Sequence, residues 1–333
     1  MEYKVSVLML VYNQEKWVDE AIKGVINQDT AFNVELVIGD DCSTDSTAAH
    51  CLEWQRRCGN DRIVVLTNER NKGIQANFLR TLDACRGEYV AICEGDDFWT
   101  DRSKLRRQVA FLDAHPDYST CIHRVLNWYQ DDRSQSLSNG GRQKADNDIL
   151  DLARKNFISN VSSLWRRGLF GDTLRQILDP DKDALTVDYA VHMLNAQYGK
   201  IHYMSRTMAV YRKYGLSVWS CARPDHQYIM AMNVRRALMA HFKTVRPDVH
   251  ALLLNAYVDN AVALMRYYRT TSEEDKISHV KAEVMGQTSL TDADIERKIN
   301  APAPPTTIKS RAMQLLKSTR RALSRLLPPP HAC

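Results

Sequence analysis

The chain has no run of 18 apolar residues, so no segment of its 333 residues is expected to cross a bilayer as a helix. It also has no CxxC pair. The eight cysteines (Cys42, Cys51, Cys58, Cys85, Cys93, Cys121, Cys221 and Cys333) are scattered, and none has a histidine at zinc-finger spacing. A disulfide framework and a zinc site are therefore not expected, and the thiols read as reduced packing residues of a cytoplasmic protein. The first apolar stretch, "VSVLMLVY", is followed by "NQEKW" with no glycine. That turn holds neither a GxGxxG dinucleotide fingerprint nor a glycine-rich phosphate loop, which disfavours a dehydrogenase and a nucleotidyltransferase. The stretch follows an acidic Glu2 and lacks a small-residue cleavage site, so it reads as a strand and not as a secretory leader. No internal repeat is present.

An excess of charge of either sign is missing from the body of the chain. The formal net charge is +5, but residues 307–327 hold Lys309, Arg311, Lys317, Arg320, Arg321 and Arg325 with no acid. Setting those six aside leaves 39 basic against 40 acidic residues, so no nucleic-acid-binding face is expected. In the tail, Ile308, Ala312, Leu315, Leu316, Leu323, Leu326 and Leu327 share one helical face. That pattern suits an interfacial helix on an anionic membrane, with a partner-docking helix and a disordered basic tail as alternatives.

What is there begins with alternation. "VSVLMLVY", "VELVIGD", "RIVVLTN" and "GEYVAIC" read as strands, separated by segments with helical spacing such as Trp17, Val18, Ala21, Ile22, Val25 and Ile26. This order predicts an α/β fold with a mostly parallel sheet, whose chemistry gathers at the carboxyl ends of the strands. Polar clusters sit at three of those ends: Tyr12-Asn13, Asp40-Asp41 and Glu94 to Asp97. The last, within "CEGDDFW", places three carboxylates in four residues. Such groups repel one another unless a cation sits among them. Further on, "DRSKLRRQVAFLDAHPDY" predicts a helix closed at His115-Pro116, 131–147 a polar loop, "FISNVSSLWRR" a strand, and "KIHYMSRTMAVYR" two short strands. Residues 225–300 read as helical.

The segments "VSVLMLVYNQEKWVDEAIKGVINQ", "ELVIGDDCSTDST", "NKGIQANF", "GEYVAICEGDDFWTDRSKLRRQVAFL" and "VDYAVHMLNAQYGKIHYMSRTMAVYR" together resemble the family-2 glycosyltransferases of GT-A fold. Their order and spacing fit over about residues 3–220, and the "CEGDDFWTD" form resembles bacterial enzymes that build cell-surface polysaccharide or lipopolysaccharide. The resemblance implies a Rossmann-like GT-A domain over 1–222 and an inverting, metal-dependent transfer of one sugar. The donor is a nucleotide-diphosphate sugar, chiefly a UDP-sugar, and the acceptor a hydroxyl of a glycan or lipid-linked molecule. Mn²⁺ or Mg²⁺ would neutralise the charge that develops on the departing diphosphate. A helical extension over 223–300, a proline-rich linker at 301–306 and the basic tail 307–333 would follow. The protein would lie in the cytoplasm, on the inner face of the membrane where the tail binds it, with a homo-oligomer as a further expected assembly. The alternatives are a nucleotidyltransferase and an inactive donor-binding or scaffold protein of the same fold.

Carried over residue by residue, the resemblance makes Asp97 the metal ligand and Asp96 the carboxylate near the donor ribose. Gly95 would let the backbone approach the ligand, and Glu94 would serve the site or pair with a lysine or arginine. Leu10, Val11, Tyr12 and Asn13 would frame the base, with core packing as the alternative for the Tyr12 ring. Asp41 would accept from the base N–H, with capping of the next helix as its alternative, and Asp40 would be structural. Gly73 would turn the chain at a helix start, Asn77 would face the donor, and Lys72 would be solvated. Asp188 would be the catalytic base, with Asp183 in reserve. Tyr214 stands where many relatives carry a histidine, which leaves Arg212 or Lys213 to supply positive charge. The QxxRW motif of processive synthases is absent.

Overall fold

A computed structural model describes residues 2–179, 186–214 and 223–302. The first half alternates as its pattern requires. The order is β1 (Val5–Val11), α1 (Val18–Ile26), β2 (Val34–Asp40), α2 (Thr47–Cys58), β3 (Ile63–Thr67), α3 (Ile74–Ala84) and β4 (Tyr89–Ile92). β5 (Phe98–Trp99), α4 (Lys104–Ala114), β6 (Tyr118–Tyr129), β7 (Gln135–Leu137), β8 (Asp146–Asn147), α5 (Ile149–Arg154), β9 (Leu164–Arg166), α6 (Thr173–Ile177), α7 (Val187–Ala196) and β10 (Lys200–Lys213) follow. α8 (Pro224–Val245), α9 (Pro247–Thr270), α10 (Glu274–Gln287) and α11 (Asp292–Asn300) complete the described chain.

The sheet runs in the order β3-β2-β1-β4-β9-β6-β10-β5, with β7 added to β6 and β8 to β10. β3, β2, β1 and β4 are parallel, whereas β9 runs antiparallel to both of its neighbours and β5 antiparallel to β10. β1 and β4 are apolar on both faces because the sheet is covered on both, as expected of central parallel strands. Val18, Ala21, Ile22 and Val25 of α1 and Leu105, Val109 and Leu112 of α4 join one core cluster on it. On the other side α3 comes unusually close to β2. A Cβ built on Gly39 would lie 2.0 Å from the Thr81 hydroxyl, so only glycine fits there.

Three expectations need correction. "KIHYMSRTMAVYR" is one 14-residue strand paired in parallel along β6, not two. Register shifts between Met204 and Ala209 break its alternation, and those bulges imitate a strand boundary in the sequence. The "FISNVSSLWRR" strand is largely a 3-10 turn at Asn160–Ser162 before the three residues of β9. The polar loop at 131–147 contains the short strands β7 and β8.

By compactness the chain divides at Tyr267/Tyr268, so α8 and most of α9 go with the sheet. The second unit holds the end of α9, α10 and α11. There Lys281 bridges Asp292 at 3.0 Å and Glu296 at 2.5 Å, and a capping box of Thr291 and Asp294 starts α11. The expected boundary at 222/223, Asp183 and the tail from 307 lie on or beyond the edge of the described residues.

Lys104, at the first position of α4, is fully buried. Its ammonium lies 3.9 Å from the Trp99 ring centroid and donates to Gln108 Oε1 at 2.8 Å. Burial lowers its pKa from an ordinary value of 10.5 to about 7, although the nearby Cys93 and Cys121 oppose the shift. The unfolded chain therefore holds a Lys104 proton between about pH 7 and 10.5 that the folded chain lacks, so this residue's contribution to stability rises with pH across that window. The stability difference between wild type and Lys104→Met in urea unfolding is expected to shift in favour of the wild type from pH 7 to 9, by up to about 1.4 kcal/mol per pH unit. Equal pH slopes in the two proteins would refute the assignment.

Candidate active site

The end of β4 delivers Cys93 to Asp97 into a short loop that β5 closes by pairing Trp99 and Phe98 with Ala209 and Val210 of β10. The Gly95 amide donates to the Leu10 carbonyl at 3.1 Å, which seats the loop on the end of β1. A Cβ on Gly95 would lie 2.4 Å from Gln14 Oε1 and 2.5 Å from Val11 Cγ1. The close approach that demands glycine here is thus to the β1–α1 segment.

Glu94, Asp96 and Asp97 each bring a carboxylate oxygen within 4.8 Å of the others. Asp97 is 1% exposed, and its Oδ1 accepts from the Arg212 amide at 2.9 Å. Asp96 Oδ2 accepts from the Tyr214 hydroxyl at 3.0 Å. Glu94 Oε1 accepts from Asn160 Nδ2 at 2.9 Å, so its partner is an amide from the 3-10 turn and not the lysine or arginine expected. Burial pushes Glu94 up to about 8, with the Asp96 charge adding to the shift. Burial also raises Asp96, and burial together with Asp96 and Glu94 raises Asp97 well above the usual carboxylate range. Three oxygen donors that resist ionisation together are a donor set whose deficit a hard divalent cation would remove, so the residues fit Mg²⁺ or Mn²⁺.

Asp188 sits half-buried in the first turn of α7. Burial raises its pKa, and the Tyr189 amide partly offsets that. Its charge is felt by Glu94 and by Tyr211, and Tyr211 also feels Asp96 and Asp97. Asp188 therefore lies within electrostatic range of the acidic loop, on the side where a parallel sheet has its crevice beyond the carboxyl ends of the strands.

The turns after β1 and β2 are stitched together on the same side of the sheet. Asn13, in the left-handed region at φ 53°, donates its amide to Ser43 Oγ at 3.0 Å and accepts from the Thr44 amide at 2.8 Å. Leu10 and Val11 lead into that turn, and the Val11 carbonyl accepts from the Asp41 amide at 3.1 Å. The Tyr12 ring is 46% exposed, which excludes core packing as its role. The Asp41 carboxylate accepts from Asn68 Nδ2 and from the Lys72 and Gly73 amides, each at 2.9 Å. At the start of α2 it is Asp45, one residue before the N-cap Ser46, that accepts from the Thr47 amide at 2.9 Å. Gly73, at φ 82°, makes the turn into α3, and the Lys72 side chain is exposed. Asp40 is buried and accepts from the Ser43 amide at 3.2 Å.

Two donor-facing expectations are corrected by burial. Asn77 is 2% exposed and donates to the Gly39 carbonyl at 2.8 Å, so it ties α3 to β2 and does not face the crevice. Arg212 is 1% exposed. Its guanidinium donates to the Asp96 carbonyl at 2.8 Å and to Glu20, and lies 4.4 Å from the Phe98 centroid and 5.0 Å from that of Trp17. It positions the acidic loop from beneath and is too enclosed to meet a diphosphate. Lys213 is half-buried, with Nζ 3.5 Å from the Tyr129 hydroxyl. Sequence reasoning missed Asn160, Glu20, Trp17 and Gln14, which hydrogen-bonds Tyr214. Gln14, Trp17 and Glu20 lie together in "QEKWVDE" at the start of α1, and no local signal marks Asn160.

The Glycosyl transferase family 2 profile matches residues 6–218. The chain belongs to that family. Uncharacterized protein Rv1520 of Mycobacterium tuberculosis is 36% identical over 223 residues, which are 67% of this chain and 62% of that protein. The chain thus spans less than two thirds of that relative's length. The Escherichia coli UDP-Glc:alpha-D-GlcNAc-diphosphoundecaprenol beta-1,3-glucosyltransferase WfgD is 34% identical over 111 residues, 33% of this chain and 42% of that one. Staphylococcus aureus TarS 1–349, in a crystal structure with UDP-GlcNAc, superposes with a TM-score of 0.55 at 20% identity. That match covers 86% of this chain and 92% of TarS 1–349 and supports the GT-A fold. Family membership removes the nucleotidyltransferase alternative. Among the described residues no helix is long and apolar enough to cross a membrane.

Arg212→Ala is expected to lower stability by about 3 kcal/mol, because it strips a buried charge from its partners and opens a gap between Trp17 and Phe98. Arg212→Lys should recover only part of that, since an ammonium cannot reach Glu20 and the Asp96 carbonyl in a planar fork. Urea denaturation checks both, and a loss below about 0.5 kcal/mol for the alanine variant would mean the guanidinium is not a support.

Proposed function

We propose that the chain transfers a single sugar, with inversion, from a nucleotide-diphosphate sugar to a hydroxyl of a glycan or lipid-linked acceptor in cell-surface polysaccharide synthesis. The observation that supports this reading is the Glu94–Asp96–Asp97 cluster at the end of β4, with the charge of Asp188 near enough to act on Glu94. Asp97 is the proposed ligand of Mg²⁺ or Mn²⁺, with Asp96 beside the ribose. When bound, the cation acts as a Lewis acid on the diphosphate leaving group.

The chain's own residues do the rest. Asp41 keeps lone pairs on an already oriented carboxylate, suited to accept an imide N–H such as that of uracil. Tyr12 offers an exposed ring at the mouth of the same turn, and Leu10, Val11 and Asn13 supply backbone groups around it. Asp188 takes the proton from the attacking hydroxyl, and its raised pKa brings it nearer to the alcohol it must deprotonate. One base and one displacement invert the anomeric carbon. A UDP-sugar is favoured because WfgD is named for UDP-Glc and TarS was crystallised with UDP-GlcNAc. WfgD is also named for a diphosphoundecaprenol-linked acceptor. The basic tail 307–327, outside the described residues, would hold the enzyme at an anionic membrane carrying such a molecule.

A thermal-shift screen of nucleotide sugars with Mn²⁺ is expected to raise the melting temperature with a UDP-sugar, and EDTA should cancel the rise. Asp188→Asn should keep UDP binding yet lose transfer by 10²-fold or more, the scale of a general base, as read by release of UDP with acceptor present. Asp97→Ala should lose the metal-dependent shift itself. Full transfer by Asp188→Asn would move the base elsewhere.

A further inference from the structure

Away from the acidic loop, a cavity of about 610 Å³ opens between the segment joining β7 to β8 and helix α5. Three cations line it: Arg142, Lys144 and Lys155. Lys144 is paired with Asp151 at 2.5 Å, the one acid of the lining. Arg142 and Lys155 are exposed and have no side-chain partner among the described residues. The cavity thus offers two uncommitted cations and a third shared with a carboxylate, around the buried ring of Phe157.

The walls are built and not merely solvated. Asn139, Gly140 and Gly141 take three consecutive left-handed conformations, with φ of 54°, 61° and 73°. Asn139 Nδ2 donates to the Phe157 carbonyl at 2.8 Å, which ties the loop to the far wall. A capping box of Asp148 and Asp151 fixes the start of α5.

The same walls are bonded to the elements that carry Asp188 and Glu94. The Leu152 carbonyl of α5 accepts from the Tyr189 hydroxyl at 3.1 Å, and Tyr189 is the neighbour of Asp188 in α7. Three residues beyond Phe157, Asn160 donates to Glu94.

We infer that this cavity is a subsite for anionic groups, phosphate or carboxylate, carried by the acceptor at a distance from the reacting hydroxyl. The inference rests on the glycosyltransferase reading for the word acceptor, but the binding itself does not. Arg142 supplies a planar fork suited to either oxyanion, and Lys155 a point charge. Lys144 would exchange part of its bond to Asp151 for the ligand.

Calorimetric titration at low ionic strength, without divalent cation or nucleotide, tests the site with three probes: pyrophosphate, trigalacturonate and uncharged maltotriose. The full chain is expected to bind at least one anionic probe and not maltotriose. Arg142→Ala combined with Lys155→Ala should weaken that binding tenfold or more. Arg56→Ala combined with Arg57→Ala, which removes the same two charges from α2, should leave it within twofold. Binding of pyrophosphate alone assigns the site to a diphosphate-bearing acceptor, and of trigalacturonate alone to an acidic glycan. No saturable anion binding, equal loss in both double variants, or equal binding of maltotriose overturns the inference. Because the titration uses neither donor nor metal, its failure would leave the transfer chemistry standing. Failure of the donor screen would leave the anion subsite standing in turn.

Discussion

Three carboxylates confined to one small volume at the end of β4 set the terms for the surrounding structure. At separations within 4.8 Å each charged pair repels by about 3 to 4 kcal/mol at an effective dielectric of 20. The fold holds the cluster with donors that touch its outer edges: the Arg212 amide on Asp97, the Tyr214 hydroxyl on Asp96 and the Asn160 amide on Glu94. These contacts orient the oxygens without cancelling their charge. The Arg212 guanidinium lies close by, but it is spent on the Asp96 carbonyl and on Glu20. The attraction for a cation that enters from the crevice is therefore preserved.

The two sides of that crevice come from different parts of the chain. The parallel strands and the turns after β1 and β2 form a stiff wall, since Asn13, Gln14 and Glu15 bond Ser43, Thr44, Asp45 and Thr47 across some 30 residues of sequence. Asp41 extends the wall by holding the loop that enters α3. The opposite side is assembled from α7, the 3-10 turn at Asn160–Ser162 and the end of β10, where strands run in both directions. A regular half thus faces an irregular half, the usual division when one wall meets a ligand part common to many relatives and the other meets a variable one.

Much of the first wall was legible in the sequence. Apolar runs separated by helical periods predict parallel strands, and acids at the ends of such runs predict chemistry at one edge of the sheet. Asp41, Glu94, Asp96 and Asp97 could all be placed that way, whereas Gly73 came from the resemblance to family 2. The resemblance to family 2 added Asp188, which periodicity alone would have left as a helix cap. Two things escaped. The bulges of β10 imitate a break between strands, so a continuous strand read as two. The roles of Asn77, Asn160 and Arg212 are set by partners 38, 66 and 116 residues away, and no local pattern encodes such partners. An arginine near an acidic motif looks like a ligand for phosphate until its burial is known.

β10 is where the acidic loop gets its last support, and that timing has a cost for biosynthesis. The residues that fasten Asp96 and Asp97 are numbered 212 and 214, more than a hundred positions later. While the ribosome is still adding the intervening segment, a nascent chain carries the clustered acids with nothing to order them. Contacts of such long separation form late in folding, because the loop they close is long. The acidic loop should consequently mature after the turns that follow β1 and β2. A translation product that stops short of β10 would have the whole parallel half and yet an acidic loop without its fastenings.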